Sequence, residues 1–111
     1  MGKIKKIYAS EIVAVAYDGN EINNFEQSEA FWIYAVDGDK IVRTQILSLY
    51  PKDIKDAIDK FNICAIDVLI CKNYSSKSMS VLKKSGFKIY TFDGGAKASV
   101  KAYAEGRLAE I

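Results

Sequence analysis

The chain gives chemistry few tools. It carries two cysteines, Cys64 and Cys71, and no histidine in 111 residues. Without an imidazole there is no Ser-His or Cys-His nucleophile and no zinc site of Cys/His type, since each needs a base or ligand that is neutral near pH 7. What remains is a thiol, carboxylates and backbone N–H groups. Cys71 closes the apolar run "AIDVLIC" just before the polar turn "KNYSS". It reads either as a soft ligand for iron, copper or a cluster where a strand opens to solvent, or as a small core residue. Cys64 lies seven residues earlier. An extended stretch of that length spans roughly 20 Å, so the two cannot grip one metal or pair with each other. Two cysteines so spaced make no secreted disulfide framework, and a reducing cytoplasm is the expectation.

Three turns have the composition of ligand loops: "YDGNE" (17–21), "CKNYSS" (71–76) and "FDGGAK" (92–97). The turn at Asn73 and Ser75 runs into a helix, whose first N–H groups and dipole favour an anion. Gly94 and Gly95 also precede a helix and allow close backbone approach. Asp18 either builds its turn or faces a ligand. Phe25, Phe31, Trp32 and Tyr34 read as core, because no basic patch interleaves with them as a nucleic-acid stacking platform requires.

The elements that must position these turns follow from apolar periodicity. "EIVAVAY" (11–17) and "FWIYAV" (31–36) are continuous apolar runs, as in strands covered on both faces. "DGDK" supplies hairpin chemistry, and "IVRTQIL" (41–47) mixes polar and apolar residues as an edge strand does. In 51–62, Ile54, Ala57, Ile58 and Phe61 recur with helical spacing, with Pro51 suited to the first turn. A strand over 65–71, a helix over 76–86 capped by Ser75 or Ser76 and stopped at Gly86, a strand over 87–92 and a helix over 96–105 complete the order. Ala96, Val100, Tyr103 and Ala104 are the inward residues of the last helix. Residues 1–10 read as a basic arm or an extra edge strand.

This order, β-β-β-α-β-α-β-α, predicts a single α/β domain: a mixed five-stranded sheet with helices on both faces. The βαβ crossover makes the last two strands parallel, and ligands in such sheets sit beyond the carboxyl ends of parallel strands. A formal charge of +2 gives no electrostatic reason to expect nucleic acid or an anionic membrane. No run reaches the length of a membrane span, and the opening residues do not read as a secretory leader.

With the motifs placed, the chain resembles the dinitrogenase iron–molybdenum cofactor biosynthesis domain family over about residues 11–108. The matching stretch is "IDVLICKNYSSKSMSVLKKSGFKIYTFDGGAKASVKAYAEGRL", in which Gly86, Gly95, Gly106 and Leu108 fall in step with the family. "NFEQSEAFWIY" resembles the family's His-Phe-Gly-Arg segment, with a second Phe six residues after the first, as Phe25 and Phe31 stand here. The resemblance implies an RNase H-like fold, three layers α/β/α, with strand order 3-2-1-4-5 and strand 2 antiparallel. It also implies a small non-catalytic binder of an anionic iron–molybdenum or iron–sulfur cofactor at the carboxyl rim of the sheet. The binding residues would be Asp18, Asn24, Asn73, Ser75, Gly94 and Gly95, with Cys71 facing metal. Asn24 stands where the family has its histidine, and Glu26-Gln27 where it has Gly-Arg. Asparagine is no substitute for imidazole on a metal, and Glu26 would repel an anion that arginine would attract. "SLYPKD" replaces the Gly- and His-rich segment often found before the first helix.

The alternative is a protein-interaction or regulatory module without a ligand, dimerising through the edge strand 41–47 or the basic arm. A nuclease-type enzyme on the same fold would need carboxylates converging on two metals. The fourth strand instead ends in Cys71-Lys72, and its Asp67 lies at the opposite end.

Overall fold

The apolar runs become the centre of a sheet because they are covered on both sides. The computed structural model describes residues 11–19, 21–49 and 53–111; the arm over 1–10, Asn20 and Pro51 lie outside the described residues. β1 (Glu11–Asp18), β3 (Ala30–Asp37) and β4 (Lys40–Ser48) form the first half, with a two-residue strand β2 (Glu21–Ile22) between β1 and β3. α1 (Ile54–Ile63), β5 (Val68–Cys71), α2 (Ser76–Lys84), β6 (Lys88–Thr91) and α3 (Ala96–Ala104) follow.

The sheet runs β4-β3-β1-β5-β6, with β2 added to β1. Counting only the five longer strands, that is 3-2-1-4-5. β3 is antiparallel to both of its neighbours, while β1, β5 and β6 are mutually parallel. The short β2 was not foreseen; it lies in a loop read as polar except for Ile22 and Phe25.

Alternation along the strands feeds two cores. Ala14, Ala16, Phe31, Leu69 and Ile89 pack with Phe61 of α1 and Leu82 of α2 on one face. Val13, Val15, Val68 and Ile70 pack with Val100 of α3 on the other. The layers are therefore α/β/α. On α1, Ala57 and Phe61 are buried and Ile54 and Ile58 pack against the core, as the spacing implies. On α3, Ala96 and Val100 are buried, with Tyr103 and Ala104 at the margin of that core.

Local chemistry sets the boundaries. Asp53 caps α1 by accepting from Lys55 N–H at 3.0 Å, and Ser75 caps α2 by accepting from Ser78 N–H at 3.1 Å. Gly86 ends α2 with φ +94°, a conformation that costs an L side chain. The strand expected from residue 65 begins only at Val68. Ala65 takes φ 59° where the chain leaves α1, and Ile66 N–H still bonds back to the Phe61 carbonyl at 3.0 Å. Those residues finish the helix before the strand can start.

Candidate functional site

Because β1, β5 and β6 are parallel, the turns after Tyr17, Cys71 and Phe92 reach one rim. The segment 21–27 then crosses that rim as a strap. Its backbone is tied at each strand end in turn: Asn23 N–H to the Ala16 carbonyl at 3.1 Å, Lys72 N–H to the Asn23 carbonyl at 2.9 Å, Phe25 N–H to the Asn73 carbonyl at 2.9 Å, and Ile22 N–H to the Gly94 carbonyl at 2.9 Å. Two apolar side chains anchor it, Ile22 under α3 and Phe25 in the core beneath α1 and α2. Phe25 stacks on Tyr74 and meets Phe31 and Phe61.

The strap divides the rim. Asn24, Asn73 and Ser75 come together in a cleft of about 260 Å³, completed by Glu26, Gln27 and Tyr74. A second hollow of about 290 Å³ lies toward Tyr17, Gly19, Asn23 and Glu29. Gly94 and Gly95 are not part of the cleft: Gly94 gives its carbonyl to the strap, and Gly95 bridges Glu21 and precedes α3. A Cβ at Gly94 would stand 3.1 Å from the Phe92 ring, so glycine there serves packing. Asp18 ends β1 in register with Glu21.

The electrostatics of the cleft centre on Glu26. Its carboxylate accepts from Ser75 N–H at 3.1 and 3.2 Å and from the Ser75 hydroxyl at 2.7 Å, across 49 residues of sequence. Partial burial works to raise its pKa, but the Ser78 and Ser75 hydroxyls and the Ser75 N–H outweigh this and hold the carboxyl below its ordinary value. The place at the start of α2 that the sequence marks for an anion is thus filled by the chain's own carboxylate. The amides around it are partly committed too: Asn24 Nδ2 donates to Gln27 Oε1 at 2.7 Å, and Asn73 Oδ1 accepts from Tyr74 N–H at 2.9 Å.

Cys71 does not face this cleft. Alternation along β5 points it with Leu69 into the core under α2, where it is 0% exposed. Burial pushes its thiol up to about 12, with the neighbouring Tyr74 hydroxyl pulling weakly the other way. The expectation of a metal-facing Cys71 is therefore corrected: a neutral, enclosed thiol is not a thiolate ligand. Tyr74 closes over it, its hydroxyl 2.8 Å from the Tyr90 carbonyl and 3.1 Å from that of Leu69. In native protein, a thiol reagent is expected to label partly exposed Cys64 within minutes and to reach Cys71 only on unfolding. Peptide mapping of the alkylated protein with and without urea checks this; fast native labelling of Cys71 would show that the rim opens.

Among the described residues no three His, Cys, Asp or Glu side chains gather to hold a metal. The described residues of the rim thus offer no side-chain set that would ligate a cluster. An anion held by hydrogen bonds fits the donor set of the cleft, in competition with Glu26.

A sheet of this topology, covered by helices on both faces and with three turns gathered at its carboxyl rim, defines an α/β/α scaffold. The chain belongs to the family described as dinitrogenase iron-molybdenum cofactor, which it matches over residues 10–106. No curated protein matches it. Among solved structures it is similar to a candidate dinitrogenase from Methanocaldococcus jannaschii, at 27% identity and TM-score 0.74, covering 90% of this chain and 93% of that one. It is similar in fold to a candidate NifB protein from Thermotoga, at 24% identity and TM-score 0.70 over 90% and 92% of the two chains. The apo orange protein of Desulfovibrio gigas shares the fold at 13% identity and TM-score 0.74, over 91% and 92%.

Proposed function

We propose that this protein is a small, non-catalytic, cytoplasmic binding protein of cofactor assembly, which carries an oxo- or thio-anion by hydrogen bonds in the rim cleft. The observation that supports this most directly is the carboxylate of Glu26 seated on Ser75: the start of α2 attracts anionic oxygen with enough force to hold a side chain there. Asn24, Gln27 and Asn73 supply further amides around the same point. A cargo anion displaces Glu26 and takes over its donors. Nothing in this arrangement calls for nucleic acid or a membrane, and no helix of the described residues is long and apolar enough to cross one.

The test is anaerobic purification followed by metal and sulfide analysis, then uptake assays on variants. Asn73→Ala is expected to reduce uptake several-fold, whereas Cys71→Ala leaves it unchanged where the protein remains folded. Uptake that depended on Cys71 and ignored Asn73 would overturn the reading. Protein that takes up no anion at all would favour the second reading, a ligand-free interaction or regulatory module. The observation on that side is the same ion–dipole contact seen as a permanent closure.

A further inference from the structure

The two edges of the sheet are finished differently. β6 is four residues long, and the end of the chain crosses it, with Ile111 N–H donating to the Ile89 carbonyl at 3.0 Å. β4, at the other edge, is nine residues long and among the described residues pairs only with β3. Monomeric proteins usually blunt such an edge with short strands, charges or bulges, because its open N–H and C=O groups template another strand. β4 has one bulge, at Val42, where its register with β3 shifts between Ala35 and Val36. From Arg43 to Ser48 the ladder is unbroken.

The side chains make the edge adhesive. Val42 is 46% and Ile46 55% exposed, two of the three exposed large hydrophobics among the described residues. Ile46 lies across from Trp32, whose ring continues a row with Tyr17 and Tyr34 over the sheet. Four charges sit on the hairpin 37–48: Asp37 and Asp39 against Lys40 and Arg43. They cancel, so two copies of this hairpin can approach without net repulsion.

We propose that β4 is the interface of a homodimer, in which two copies of the strand pair antiparallel about a two-fold axis at Thr44. That register is self-complementary. It sets Val42 of one copy against Ile46 of the other, twice by symmetry, an apolar cross-strand pair of the kind that stabilises antiparallel sheets. Arg43 then meets Gln45, and Lys40 meets Ser48, so no cation directly opposes a cation. A parallel, in-register pairing would instead stack Arg43 on Arg43. One strand buries less than the roughly 800 Å² per partner of a standard stable interface, so the dimer is reversible, with a dissociation constant in the micromolar range or weaker.

Sedimentation velocity on the full chain over about 10 µM to 1 mM spans the affinity expected for such an interface. Wild-type protein should shift from monomer to dimer. Ile46→Lys should raise the dissociation constant at least about tenfold, because it breaks both symmetry-related Val42–Ile46 pairs and sets a charged side chain against Val42 in each. Val42→Lys should act in the same direction. Both sites are exposed, and circular dichroism confirms that each variant is folded. A wild-type chain that stays monomeric overturns the proposal and leaves the edge to residues 1–10 or to a strand from another protein. A dimer indifferent to both lysines overturns it as well, by placing the contact elsewhere.

Discussion

Phe25→Ala is expected to cost about 3–5 kcal/mol, the usual range for deleting a fully buried phenylalanine. Phe25 is 0% exposed and touches the rings of Phe31, Phe61 and Tyr74. It is also the residue that pins the strap to the core, next to the Asn73 carbonyl that its N–H engages. A domain of this size has only about 5–15 kcal/mol in total, so the loss takes a large share. Urea unfolding should show the midpoint falling by about 2 M at a typical slope for small proteins. The damage should not be uniform: hydrogen exchange at Lys72 and Ile22, whose amides bond the strap, should accelerate more than exchange at Val15 or Leu69 in the sheet. A loss under about 1 kcal/mol would mean that the strap rests on the surface and that its phenylalanine is not part of the core.

That prediction rests on a segment the sequence describes poorly. The long strands and the helices were readable, because their apolar residues come as short unbroken runs or with helical spacing and are bounded by Asp-Gly, Ser or Gly signals. "FWIYAV" could hardly be anything but a covered strand. The strap has no such repeat. Its two apolar residues, Ile22 and Phe25, are three apart in a polar loop, and only their complete burial in the fold shows that they hold it down. The meeting of the three turns was legible from the βαβ logic, and Asn24, Asn73 and Ser75 do share a cleft. The direction of Cys71 was not read, although alternation contains the answer: it shares a face with Leu69, and that face looks at α2. The contact of Glu26 with Ser75 joins residues 49 apart through side-chain geometry, and no local pattern reports such a pair. In the sequence Glu26 reads only as a charge that would repel an anion, whereas in the fold its carboxylate is itself the occupant at the start of α2.

Removing that occupant is the sharpest test of the rim. Glu26→Ala should bind inorganic phosphate at least about tenfold more tightly than wild type at neutral pH, because the donors freed at the start of α2 no longer meet a competing carboxylate. Glu26→Gln should fall between the two, keeping a neutral oxygen in place. Titrations followed by amide chemical shifts should localise the effect at Ser75 and Ser78, whose N–H groups lie at this end of the helix. Stability should move the other way, with Glu26→Ala losing about 1 kcal/mol of capping and dipole interaction, a modest figure because the carboxylate is largely solvated. The pH dependence follows from the direction of its pKa. The folded value is depressed below the ordinary 4.5, so the contribution is fully present above that value and disappears as pH falls through the lower, folded one. The stability difference between wild type and Glu26→Ala should therefore be constant from pH 7 to about pH 5 and vanish in acid. Equal phosphate affinity in the two proteins, with no shift at Ser75, would show that the carboxylate is not what keeps anions out. The start of α2 would then be a connector and nothing more.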